Sequence, residues 1–246
     1  MPIRAKLVSR NVRSVCKVSD MVGERQYKQA FMTIKKAGLR RLGIHASWAF
    51  YDDPRRLTFT FARYKFAAKM LAGAKHVLEI GCADGFPSTI VRQAVEQMTC
   101  IDFDPKFIAS AKETMMARWP IEFRVHDILK KPMEGKFDGV LSLDVLEHIR
   151  PRDEKKFLSN AFRSLTDDGV AVIGMPSLNS QRYASALSKA GHVNCKHQED
   201  LRSLLLRYFR NVFMFSMNDE IVHTGHEAMA HYHLALCCNK RAEGAP

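Results

Sequence analysis

The stretch Val77-Leu78-Glu79-Ile80-Gly81-Cys82-Ala83-Asp84-Gly85 constrains this chain more than any other. It reads as a short apolar strand with an acid near its end, then Gly-x-x-x-Gly, then a helix from about Pro87. Two glycines within five residues let the main chain reverse tightly and let a ligand lie against it. The amides that open the following helix favour a negative group. The turn lacks the Lys-Ser/Thr of a phosphate-binding loop and the GxGxxG spacing of a dinucleotide site.

The rest of the chain repeats this strand-then-helix alternation. Strands are predicted at 76–80, 99–101, 121–125, 139–143, 169–174, 212–216 and 232–237. Helices are predicted over 24–40, from 52 to about 71, from 87, from 105, over 154–165 and over 201–209. Leu57, Phe61, Tyr64 and Ala68 share one helical face, as do Phe107, Ile108, Ala111 and Met115, and Phe157, Leu158, Ala161 and Phe162. Strands separated by helices imply right-handed crossovers and a mostly parallel α/β sheet covered on both faces. The expected division is a basic arm and helix over 1–51 and the α/β domain over 52–246.

Charge supports that division. The first 41 residues hold eleven Lys/Arg and two acids, so most of the net +12 belongs to them. Residues 1–22 lack periodicity and are expected to be an irregular arm, dispensable for folding. The six cysteines include no CxxC pair, which favours reduced thiols over a disulfide framework. No apolar run approaches the roughly 20 residues of a membrane span. With no secretory signal, a cytoplasmic location is expected.

Four motifs then fall in a familiar order. Glu79-x-Gly81-x-x-x-Gly85 resembles the first motif of class I (Rossmann-like) S-adenosylmethionine-dependent methyltransferases. Cys100-Ile101-Asp102-Phe103-Asp104 resembles their second-strand motif, His126-Asp127-Ile128 the third, and Leu141-Ser142-Leu143-Asp144-Val145-Leu146-Glu147-His148 the fourth. The last has a form similar to that of ubiquinone-type and sugar-type small-molecule enzymes. The resemblance implies a seven-stranded sheet with an antiparallel last strand and S-adenosyl-L-methionine as cofactor. It implies that Gly81 and Gly85, with Ala83 between them, admit the donor's methionine part, that Glu79 holds its amino group, and that Asp102 accepts from the ribose hydroxyls. Phe103 would pack on the adenine, Asp127 would accept from its amine beside Ile128, and Leu143 and Asp144 would lie beside the transferred methyl. Arg63 resembles an arginine that grips the donor's carboxylate in some relatives.

The acceptor side is less defined. An oxygen acceptor needs a general base, most often His. His192, in a Gly-containing loop after the fifth strand, and His148, after the fourth, are the catalytic candidates. His231 and His233 alternate along a predicted strand near His223 and His226, but no Cys pair or HExxH motif supports a metal site there, and none is expected. The expected partner is a small-molecule acceptor, a polar metabolite such as a sugar, methylated on O or N. An RNA methyltransferase using the basic arm is the alternative, although aromatic RNA-binding signatures are absent. A non-catalytic binding protein is the third reading, and the intact donor motifs oppose it.

Overall fold

Alternation along the central strands builds a core on each face of one sheet. In β1, His76–Ile80, Leu78 and Ile80 enter one cluster and Val77 the other, as the two-residue strand period requires. In β5, Leu165–Pro176, Ala171, Ile173 and Met175 face one way and Val172 the other. The computed structural model describes residues 24–242, so the irregular arm expected over 1–22 lies outside the described residues.

The remaining strands are β2 (Gln97–Asp102), β3 (Glu122–Val125), β4 (Phe137–Leu143), β6 (Phe209–Asn218), β7 (Ile221–His223) and β8 (Tyr232–Lys240). Their order is β3-β2-β1-β4-β5-β8-β6-β7. The first five are parallel, and β8 runs antiparallel between β5 and β6. This is the Rossmann-like sheet expected, with one addition. The three-residue β7 folds back on β6 through Asp219, whose φ is +49°, and it is too short to show periodicity in the sequence.

The helices are α1 (Lys28–Ala37), α2 (Ile44–Asp52), α3 (Arg55–Met70), α4 (Ser88–Arg92), α5 (Pro105–Thr114), α6 (Pro151–Arg163), α7 (Ala186–Gly191) and α8 (Gln198–Leu205). On one face, Phe157, Leu158, Ala161 and Phe162 of α6 are all buried against the sheet. On the other lie Tyr64, Ala67 and Ala68 of α3 with Ile108 and Ala111 of α5. Met115, expected on that inner face, falls just past the end of α5 and is exposed.

Two compact units divide at Arg41/Leu42, ten residues before the boundary expected at 51/52. The reason is α2. Its first-turn amides are satisfied by distant side chains: Ile44 N donates to Ser110 Oγ at 3.1 Å and Ala46 N to Asp84 Oδ2 at 2.8 Å. Those bonds fasten α2 to the α/β unit. The described part of the other unit is α1 and the short turn before it, with no fully buried side chain. Among the described residues, no helix is long and apolar enough to cross a membrane.

The strand order reverses between β1, which leads to β2, and β4, which leads to β5. In such sheets the crevice outside the carboxyl ends at the reversal is where ligands sit. That end carries the glycine turn, the end of β2 and the residues after β4.

Candidate functional site

The glycine turn leaves β1 with three residues at positive φ: Gly81 at +77°, Ala83 at +47° and Gly85 at +63°. A Cβ on Gly81 would overlap Val145 Cγ2, and one on Gly85 would lie 2.6 Å from Phe123 Cζ. Packing as well as backbone conformation therefore demands glycine at both. Ala83 adopts its strained φ with its N–H donated to Asp102 Oδ2 at 2.9 Å. The other carboxylate oxygen of Asp102 accepts from Asp104 N at 2.9 Å. Asp102 thus joins the turn after β1 to the start of α5, and it is only 7% exposed. A carboxylate has about four lone-pair sites, so two remain for a diol.

Glu79 is buried and accepts from the Tyr64 hydroxyl and from Cys100 Sγ. Burial pushes its carboxyl above the usual range, and the hydrogen bonds oppose that rise. Phe103, one residue beyond Asp102, is 75% exposed. A flat apolar ring standing in water at a strand end is a surface on which a base can stack. Asp127 accepts from Leu129 N at 3.0 Å and has Lys130 Nζ at 3.5 Å. It shapes its own turn, with its other oxygen facing the Lys130 ammonium. Ile128 and Leu143 are buried, one in each of the two cores.

Arg63 and Asp144 come together across the crevice. Arg63 Nη1 donates to both Asp144 oxygens at 2.7 and 2.8 Å, and the guanidinium lies 3.9 Å above the Tyr232 ring. Arg63 Nε is buried with no hydrogen-bond partner. Asp144 sits at φ +57°, its N–H directed to Gly174 O and the Tyr232 hydroxyl. The arginine expected from the sequence is therefore at the strand ends, held there by an acid of the fourth motif.

On the acceptor side the structure unites residues far apart in sequence. The Glu147 backbone carbonyl accepts from Val193 N at 2.8 Å and Asn194 N at 3.0 Å. This fastens the loop after α7 to the segment after β4, and it sets the His148 and His192 rings 5.2 Å apart. His148 Nδ1 bonds Gly191 O at 2.9 Å and His192 Nδ1 bonds Gln181 Oε1 at 2.8 Å. Since both partners are carbonyl oxygens, the network assigns a proton to each Nδ1, so that each ring's Nε2 is its remaining polar atom. Burial, then the neighbouring His148, lowers the His192 pKa, which keeps the ring neutral near pH 7. Glu147, given no role by the sequence, is buried beside them. Burial and then the nearby Asp144 charge push its carboxyl well above the usual range.

The C-terminal histidines do not converge. His231 precedes β8 and is exposed, whereas His233 lies within it and is fully buried, so the two do not share the strand face expected of them. Burial lowers the His233 pKa to about 4. His223 is engaged by Asn218 and by Gly225 N. Among the described residues, three metal-capable side chains converge only at Glu147, His148 and His192. A groove of about 860 Å³, lined by Lys155, Arg207 and Lys240, lies elsewhere. Lys240 donates there to Leu165 O, at the amino end of β5. That end is opposite the strand reversal, so the geometry of the sheet and not the size of the groove locates the site.

Residues 78–173 match the family described as a methyltransferase domain. The chain is 26% identical over 168 residues to a probable S-adenosylmethionine-dependent methyltransferase of Mycolicibacterium smegmatis, covering 66% of this chain and 62% of that protein. It is 31% identical over 142 residues to a ubiquinone biosynthesis O-methyltransferase of Xanthomonas oryzae pv. oryzae, covering 56% and 55%. The chain thus spans little more than half to three-fifths of these relatives' lengths. Among solved structures, the N-methyltransferase NodS of Bradyrhizobium japonicum with S-adenosyl-L-homocysteine aligns with a TM-score of 0.57 at 21% identity, over 85% of this chain and 97% of that one. That likeness establishes a shared fold.

Proposed function

We propose that this chain, whose residues 78–173 match a methyltransferase-domain family on a Rossmann-like sheet, is a class I enzyme that transfers a methyl group from S-adenosyl-L-methionine to an O or N atom of a small polar metabolite. The observation that carries the reading is the alignment of Asp102, Phe103 and the glycine turn at the strand reversal, with the His148 and His192 rings paired beyond the end of β4. Three features fit the donor: the spare lone pairs of Asp102, the open ring of Phe103, and the partnerless Nε of Arg63. When bound, the donor supplies an electrophilic methyl: an acceptor lone pair bonds to its carbon, the C–S bond breaks, and the electron pair stays on sulfur.

In this reading the chain's own groups align, desolvate and accept a proton. Glu79 holds the donor's ammonium, Asp102 its ribose and Arg63 its carboxylate. Asp127 takes the adenine amine. His192, with His148 beside it, serves the acceptor's hydroxyl. The paired imidazoles favour an oxygen acceptor, which needs to lose a proton, and a relative named as an O-methyltransferase accords with that. The paired nitrogens favour this over the RNA reading, whose basic residues lie at the other end of the chain.

Calorimetry with S-adenosyl-L-homocysteine tests the donor half, and mass spectrometry of a metabolite extract for a product gaining one methyl tests the acceptor half. No binding of the homocysteine product would overturn the proposal. Arg63→Ala is expected to weaken that binding by roughly tenfold or more, the scale of a lost charge-assisted hydrogen bond. An unchanged affinity would leave Arg63 as the partner of Asp144 alone. His192→Ala is expected to lower turnover by roughly two orders of magnitude with donor affinity intact. Turnover at the parent's rate would make His192 structural.

A further inference from the structure

Glu147 is 1% exposed, and its Oε2 has no hydrogen-bond partner. A buried carboxylate without a partner is expensive, so such an oxygen calls for a proton, a cation or a metal. Its surroundings discriminate among these. His148 Nε2 lies 4.0 Å from Glu147 Oε1, and one ligand atom each from Glu147, His148 and His192 all lie within 4.8 Å of one another. Both imidazoles are turned by the same device: Nδ1 is committed to a carbonyl oxygen, Gly191 O for His148 and Gln181 Oε1 for His192. That is the arrangement by which a histidine ligand is fixed in tautomer and orientation, its far nitrogen free for a metal. The loop bearing His192 is itself tied to the Glu147 main chain.

We propose that Glu147, His148 and His192 bind one divalent transition-metal ion, of the Zn²⁺ or Mn²⁺ class, whose open positions take the acceptor's oxygen. Two imidazoles and one carboxylate form a ligand set that suits such ions and leaves coordination sites unfilled. Ligand atoms around a tetrahedral ion stand about 3.3 Å apart, so small side-chain rotations close the cluster. The ion neutralises the buried Glu147. With their Nε2 atoms on the ion, the two imidazoles serve the acceptor hydroxyl through the metal and not by taking its proton themselves: the ion binds the hydroxyl and lowers its pKa, the proton is lost to solvent, and the oxygen keeps the lone pair that attacks the methyl. This deepens the proposed methyl transfer and rests on it for the acceptor. The metal site itself rests on the three side chains alone.

The test uses the full chain, stripped with EDTA and desalted, with neither donor nor acceptor present. Mn²⁺ binding is followed by loss of the free-ion paramagnetic resonance signal, a probe that ignores thiols, and Zn²⁺ binding by calorimetry. One ion per chain is expected. Glu147→Gln and His192→Ala are each expected to weaken binding at least roughly 10–100-fold, the range already reached when only a group behind a ligand is removed. Gln181→Ala is expected within that range. Affinity for S-adenosyl-L-homocysteine, measured on every variant, reports that the fold is intact. If Glu147→Gln loses the fold, His192→Ala and His148→Ala, both at partly exposed rings, decide the matter. Absence of binding by both ions, or one-ion binding that survives all these substitutions, overturns the site. Metal binding without methyl transfer to any acceptor counts against the proposed reaction and leaves the site standing.

Discussion

Gly85→Ala is expected to lower the melting temperature by roughly 5–15 °C and to abolish donor binding near the parent's working concentrations. Two costs combine. The residue sits at φ +63°, where an L side chain costs about 1–2 kcal/mol. The new methyl would also meet the edge of the Phe123 ring, with Cζ at 2.6 Å. Phe123 is buried on β3 and cannot swing clear, so the overlap adds about 1–3 kcal/mol. The turn must then shift, and the Ala83 amide that fastens Asp102 moves with it. Thermal unfolding and calorimetry check this together. A companion experiment separates the costs. In a Phe123→Leu background the steric part should be relieved and the backbone part should remain, so the two substitutions should be non-additive. A melting temperature within about 2 °C of the parent would show that the turn yields freely.

The glycine turn was legible because its signal is local: an apolar strand, an acid and two glycines lie within nine residues. The same holds for α6, whose inner residues share a helical face and are all buried. Helix α2 was not legible. Its capping groups are Asp84 and Ser110, 38 and 66 residues away from the amides they serve, and its buried face is made of Ala46 and Ala49 while Trp48 and Tyr51 face outward. Hydrophobic periodicity points the wrong way when small residues do the packing. The acceptor side failed to show for a related reason. His148 and His192 could be named singly, but their juxtaposition depends on the Glu147 carbonyl holding a loop over forty residues downstream. The burial of Glu147 had no sequence signal, because Leu146-Glu147-His148 reads equally well as a solvated turn until the short 3-10 turn Leu146–His148 is seen to carry it inward.

Asp102→Ala is expected to weaken S-adenosyl-L-homocysteine binding by at least roughly 100-fold, because two charge-assisted ribose bonds worth about 1.5–3 kcal/mol each would be lost. The carboxylate has a second task. Its oxygens also accept from Ala83 N and Asp104 N, so it fixes the turn after β1 against the start of α5. Removing it leaves two amides without their acceptor and releases Ala83, at φ +47°, from the bond that accompanies that conformation. Some affinity would therefore be lost through the shape of the turn and not through the ribose. The two contributions separate on the ligand side. Parent protein should bind the 2′-deoxy analogue of the homocysteine product at least roughly tenfold more weakly than the product itself, since one buried bond is missing. In Asp102→Ala that difference should vanish, because the partner of the hydroxyl is gone. Asp102→Asn keeps one carbonyl oxygen for a backbone amide but loses the charge, so its melting temperature should lie closer to the parent's than its affinity does. A full discrimination against the deoxy analogue in Asp102→Ala would assign the ribose to another residue and leave Asp102 as the fastener of the turn.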